Sequence, residues 1–137
     1  MASVHSRFPA LKSLEDGPFS ALLQLKIESA SEGEVVVRMP FDPRLLNYGP
    51  PDVPIHGGAI ASLADFAACA AVWTMPDTRR SATISMTVNY AGPGVQSDLI
   101  AHALVRRHGR RVASLTVEIR DRANALIADA LVTYKIA

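Results

Sequence analysis

Hydrophobic and polar positions alternate over most of this chain, and one long stretch breaks the alternation. Leu23, Leu25 and Ile27 alternate with Gln24, Lys26 and Glu28, the period of two that marks a half-buried strand. Ser31-Glu32-Gly33 reads as a turn. Val35, Val37 and Met39 form a second strand closed by Pro40, so the pair predicts a β-hairpin. Phe41 to Ile55 holds Pro43, Gly49, Pro50, Pro51 and Pro54 and reads as a loop. Residues 58–74 lose the alternation. They are rich in alanine, no proline intervenes before Pro76, and they predict one long helix. Period two then returns. Ala82, Ile84, Met86, Val88 and Tyr90 fall on one face, and Thr83, Ser85, Thr87 and Asn89 on the other. Gly92-Pro93-Gly94 ends that strand. Leu99 to Arg107, Ala113 to Arg120 and Leu126 to Ile136 follow as strands, separated by turns at His108-Gly109 and Asp121 to Ala125.

The predicted order is β-β-α-β-β-β-β. Short connections after the helix favour antiparallel pairing. A helix that is apolar nearly all round must be enclosed. The economical packing is an α+β arrangement in which an antiparallel sheet wraps one central helix, the hot-dog fold. The length of 137 residues suits one domain over 1–137, with residues 1–16 as a mixed lead-in.

Composition narrows the chemistry. Hydrophobic residues make up 49% and charged residues 20%, the profile of a soluble globular protein. A net charge of +1 gives no electrostatic case for nucleic acid as a partner. Cys69 is the single cysteine, which rules out an intrachain disulfide and a cysteine-based zinc cluster and suits a reducing cytoplasm. His5, His56, His102 and His108 show no metal-ligand spacing, so no metal is expected. No apolar run at the N-terminus has signal-peptide length. The stretch Ala59 to Met75 is interrupted by Asp65, so no membrane span is expected.

Chemistry concentrates on the helix. Ser62, Asp65, Cys69 and Trp73 fall in one narrow stripe at 100° per residue. Trp73 and Cys69 are poor choices for a solvent face, which points the stripe toward another chain or a ligand. Gly57-Gly58 at the helix start leaves backbone N–H groups approachable, able to polarise a carbonyl or hold an oxyanion. Gly57 and Asp65 are eight residues apart, ~12 Å along the axis. One chain cannot easily bring both to a single reacting carbon, whereas two antiparallel helices across a two-fold axis can. A catalytic role for both implies a homodimer or homotetramer with shared sites.

The segment His56-Gly57-Gly58-Ala59-Ile60-Ala61-Ser62-Leu63-Ala64-Asp65 resembles the helix motif of hot-dog acyl-CoA thioesterases of the phenylacetate-degradation (PaaI-like) type. The resemblance runs from about Val35 to Tyr134 and includes Ser81 to Tyr90, Gly92-Pro93 and Gly109-Arg110-Arg111. It implies that Gly57, with Gly58 nearby, polarises the thioester carbonyl. It implies Asp65 as general base or nucleophile from the facing subunit, and Thr83 as a hydroxyl that orients water. Asn47 corresponds to an asparagine that precedes the glycine pair in relatives, although the intervening stretch here is longer and richer in proline. His56 orders the loop rather than taking a proton. No cofactor is implied.

Arg106, Arg107, Arg110 and Arg111 flank the turn at His108-Gly109. They are either a solvated hairpin end or a landing site for the phosphates of CoA. Cys69 has no base placed beside it and reads as a packing residue. The function expected is hydrolysis of an acyl-CoA to free acid and CoA. The alternative is a non-catalytic acyl-CoA binding or sensing module on the same fold, which would have no need of Asp65 and Thr83. A bare structural dimer would leave Asp65 unexplained.

Overall fold

The computed structural model describes residues 3–137; Met1 and Ala2 of the expected lead-in lie outside the described residues. The rest of the lead-in is helical, which the hydrophobic pattern does not predict. Three short helices, α1 (Val4–Arg7), α2 (Ala10–Glu15) and α3 (Pro18–Leu22), precede the first strand. Helices of one turn or so show no usable period. Their punctuation is local: Ser3 caps α1 by accepting the Ser6 N–H, and Pro18 opens α3.

Strands β1 (Lys26–Ser31) and β2 (Glu34–Met39) form the expected hairpin. β1 starts later than the alternation suggests, because Gln24 sits at φ 57° and turns the chain out of α3. Leu23 and Leu25 therefore pack from the approach to the strand rather than from within it. At the tip, Gly33 has φ +81° and donates its N–H to Thr74 Oγ1 at 2.7 Å, tying the hairpin to the end of the central helix. The proline-rich loop contains one 3₁₀ turn, Pro43–Leu45, and is closed by a bridge between Leu46 and Ile55.

Helix α4 spans Gly57–Trp73. Leu63, Ala64, Ala67, Ala68, Ala70, Ala71 and Val72 are fully buried, so the alanine content serves enclosure and close approach of the sheet. Strands β3 (Ser81–Tyr90), β4 (Leu99–His108), β5 (Val112–Asp121) and β6 (Leu126–Ile136) complete one antiparallel sheet in the order β1-β2-β4-β5-β6-β3. The sheet wraps α4 as expected, and helix and sheet share one hydrophobic core. The pairing is antiparallel throughout, but β3 lies beside β6 rather than beside β4, its successor in sequence.

β3 also departs from its predicted faces. Its register against β6 shifts between Thr83 and Ser85, a β-bulge. Before the bulge Ser81 and Thr83 point at α4; after it Tyr90 does. Straight alternation would have placed Thr83 and Tyr90 on opposite sides. β3 is an edge strand, with Ile84 at 56% exposure.

Candidate active site

Asp65 occupies the middle of α4, half-buried, where the wrapped sheet leaves one helix face uncovered. Two hydroxyls converge on one of its oxygens. Thr83 Oγ1 donates to Oδ1 at 2.7 Å, and the Tyr134 hydroxyl donates to the same oxygen at 2.5 Å while lying 2.9 Å from the Asp65 carbonyl. Burial, then the neighbouring Cys69 and Asp65, pushes the Tyr134 phenol well above its ordinary pKa. Tyr134 thus keeps its proton and stays a donor. Among the described residues Oδ2 takes no hydrogen bond. Asp65 borders a cavity of about 320 Å³ that Ser62, Phe66, Ser81, Thr83 and Tyr134 also line. The arrangement holds one carboxylate oxygen in place and leaves the other for chemistry.

The rest of the predicted stripe is largely occupied within the chain. Ser62 Oγ donates to the Gly58 carbonyl at 2.8 Å. Trp73 Nε1 donates to Ser81 Oγ at 3.0 Å, and Cys69 Sγ lies 3.8 Å from the same hydroxyl. Burial raises the Cys69 thiol pKa, with the nearby Asp65 adding to it, so the thiol is a poor nucleophile at neutral pH.

The helix start separates the two glycines. His56 is the N-cap of α4, and its Nδ1 accepts the Gly58 N–H at 2.8 Å. Accepting there leaves the ring proton on Nε2. Gly58 is thereby committed to the cap. A Cβ on Gly58 would fall 2.9 Å from His56 Nδ1, so the cap requires glycine. Among the described residues the Gly57 N–H meets no acceptor, and it is the open donor of this helix start. Tyr90 braces it: its hydroxyl donates to the Gly57 carbonyl at 2.8 Å, and a Cβ on Gly57 would lie 3.3 Å from its ring.

Asn47 is exposed, and its side chain donates to the Pro54 carbonyl at 3.2 Å, closing the loop before the helix. Arg106, Arg107, Arg110 and Arg111 are all exposed, and the last three border an open hollow of about 590 Å³ with Gly109 and Val112. Among the described residues none of the four pairs with a carboxylate. Lys135 stands opposite Val112 in the sheet and shares a second hollow with Arg80, Ser81 and Ala82. That hollow adjoins the Asp65 cavity through Ser81 and Ala82. The sequence pattern did not single out Arg80, Lys135, Tyr90 or Tyr134. Among the described residues no three His, Cys, Asp or Glu side chains gather where they could hold a metal ion, and no helix is long and apolar enough to cross a membrane.

Residues 55–128 match the model of the thioesterase superfamily. A Halobacterium salinarum protein that carries a provisional esterase name is 35% identical over 109 residues, covering 77% of this chain and 72% of its own length. The E. coli PaaI protein of the phenylacetic acid degradation operon superposes with a TM-score of 0.83 at 26% identity, over 98% of this chain and 96% of its own. A hypothetical thioesterase of Streptococcus pneumoniae, solved with coenzyme A, superposes with a TM-score of 0.81 at 23% identity, over 93% and 96%.

Proposed function

The chain belongs to the thioesterase superfamily, and from that premise we propose that this hydrolase cleaves acyl-CoA to free acid and CoA, in sites shared between two copies. The observation that carries the reading is Asp65: one oxygen held by Thr83 and Tyr134, the other open at a cavity.

Water attacks the thioester carbon, Asp65 Oδ2 takes its proton, and the carbonyl oxygen becomes an oxyanion. The Thr83 hydroxyl, already donating to Asp65, keeps lone pairs to accept from that water. The Gly57 N–H at a helix N-terminus suits the oxyanion. Collapse of the intermediate expels the CoA thiolate, which takes the proton from Asp65 and restores the carboxylate, and releases the acid.

The direction of β3 supports sharing. The strand runs back along α4: Ser81 meets Trp73 near the helix end, Thr83 meets Asp65 at its middle, and Tyr90 meets Gly57 at its start. Its outer edge pairs with no strand of the described residues. Two β3 edges paired antiparallel about Thr87, with each Thr87 opposite its own copy, would bring Thr83 of one copy beside Tyr90 of the other once the bulge at Ile84 is counted. Asp65 of one copy would then face Gly57 of the second. A dimer is the smallest such assembly, and a tetramer repeats it. A long, uncharged edge strand also calls for cover.

CoA as the carrier is supported by the basic end of the sheet, where Arg110 and Arg111 suit phosphates, and by the CoA-bound Streptococcus pneumoniae relative. The single unpaired thiol, Cys69, fits a cytoplasmic setting. Thiol release from a panel of acyl-CoAs tests the activity. Short N-acetylcysteamine thioesters, which lack the phosphates, test the carrier. Arg110→Ala and Arg111→Ala should raise KM for the CoA substrates alone and leave kcat nearly unchanged. Equal losses on both substrates would overturn the CoA assignment.

A further inference from the structure

The cavity beside Asp65 has a wall that hydrolysis does not use. Leu14 of α2 and Phe19 of α3 line it together with Phe66 of α4. The N-terminal segment that supplies this wall is anchored. Leu11 is fully buried, and buried Glu15 accepts the Ile27 N–H on Oε2 at 2.6 Å with His5 Nε2 3.0 Å from Oε1. α2 packs directly on α4. α3 follows after Gly17, and Phe19 is left 61% exposed at the cavity. At the rim of a cavity, that ring is apolar area that a bound group can take out of water.

The rest of the lining adds a constraint on charge. Among the described residues Asp65 is the one acidic side chain in it; the other members are apolar side chains, hydroxyls and the Cys69 thiol, and Arg80 and Lys135 stand in the adjoining hollow beyond Ser81 and Ala82. An acyl group bearing a carboxylate would meet repulsion and find no partner there.

Building on the thioesterase reading, we propose that Leu14, Phe19 and Phe66 recognise the acyl group, and that the substrates are CoA thioesters of neutral, apolar acids. Acetyl offers little apolar surface for the wall to cover, and succinyl carries the wrong charge. The N-terminal helices are then specificity elements, with Phe19, the most exposed of the three, gaining most cover from the acyl group.

The test uses analogues that cannot be hydrolysed, with methylene in place of the thioester sulfur, and reads Kd by calorimetry. Acetyl, butyryl, octanoyl, phenylacetyl and succinyl analogues form the series. Affinity should rise by up to about fourfold per methylene buried, the equivalent of ~0.8 kcal/mol, and the succinyl analogue should bind most weakly. Phe19→Ala and Leu14→Ala should flatten that rise and weaken the octanoyl analogue about tenfold or more. Leu22→Ala, on the same short helix at 68% exposure but outside the cavity lining, should keep the wild-type series. A Kd independent of acyl length, or the same loss in Leu22→Ala as in Phe19→Ala, would overturn the proposal. A wild type that binds with this length dependence yet hydrolyses no thioester would overturn the hydrolase reading and leave the acyl wall standing.

Discussion

The Tyr134 hydroxyl lies 2.5 Å from Asp65 Oδ1, across 69 residues of sequence, and it shares that oxygen with Thr83. Tyr134 is nearly fully buried on β6, and its ring is part of the core. The same side chain therefore packs the sheet and orients the carboxylate. Tyr134→Phe keeps the ring and removes one donor. Hydrogen bonds to charged groups are worth ~1.5–3 kcal/mol, so kcat should fall roughly 10- to 100-fold with a modest loss of melting temperature. Thr83→Ala should cost a similar factor and Thr83→Ser should recover most of it. The double variant should lose less than the product of the two singles, because both act on one oxygen. Steady-state kinetics of the four variants with melting curves on the same preparations check this. Multiplicative losses would show that the two hydroxyls act separately.

His56 caps the helix start by accepting the Gly58 N–H, and the proposed mechanism gives it no proton to carry. His56→Ala removes the cap on Gly58 and should lower stability by ~1 kcal/mol, within the ~0.5–2 kcal/mol range for lost N-caps. His56→Asn restores a strong capping side chain and should recover both stability and activity. An inactive but fully stable His56→Asn protein would instead assign His56 a part in proton transfer.

Alkaline pH should destabilise the fold in two steps. Burial raises the pKa of both Cys69 and Tyr134 in the folded state. The unfolded chain ionises these groups near ~8.5 and ~10, while the folded chain keeps both protons, so unfolding releases protons above those values. Stability is complete below pH ~8.5, declines as pH rises past it, and declines more steeply past ~10. Melting temperatures of wild type and Cys69→Ala across pH 7 to 10.5 check the sign and the source. A flat profile, or an unchanged first step in Cys69→Ala, would contradict it.

The pairing of two β3 edges can be tested by charge. Thr87→Lys places like charges close to the two-fold axis and puts lysine on an edge strand, a residue that blocks edge pairing. Sedimentation should show a shift toward monomer and a parallel loss of hydrolysis, more at low salt than at high. A Thr87→Lys protein that stays a dimer with wild-type activity would remove β3 from the interface.

Much of the fold was legible because burial leaves a period. Val35, Val37 and Met39, and Ala113 through Ile119, alternate without interruption, and the alanine run of α4 announces an enclosed helix. Features set by distant contacts were not legible. Nothing local to Ile84 marks the bulge, since Ala82 to Tyr90 alternate straight through it, yet the bulge lets Thr83 and Tyr90 both reach α4. Tyr134 reads as one more buried position of β6, because its meeting with Asp65 depends on sheet order. The glycine pair was legible as a unit, but its division of labour depends on where the His56 ring turns. Helices of four to six residues, such as those before β1, are too short to carry a period.

Asp65→Asn tests the central claim most directly. Asparagine keeps the shape and can still accept from Thr83 and Tyr134 at one oxygen, but it cannot take a proton from water or attack as an anion. A general base contributes typically ~10²–10⁴-fold, so kcat should fall at least a hundredfold. Melting temperature should stay near wild type, and affinity for a non-hydrolysable acyl-CoA analogue should be kept or improved. The measurement is the hydrolysis rate of purified Asp65→Asn, read beside its melting curve and its analogue affinity. A folded, ligand-binding protein without turnover is the result predicted. A folded Asp65→Asn protein with kcat near wild type would contradict the assignment of Asp65 and with it the proposed mechanism.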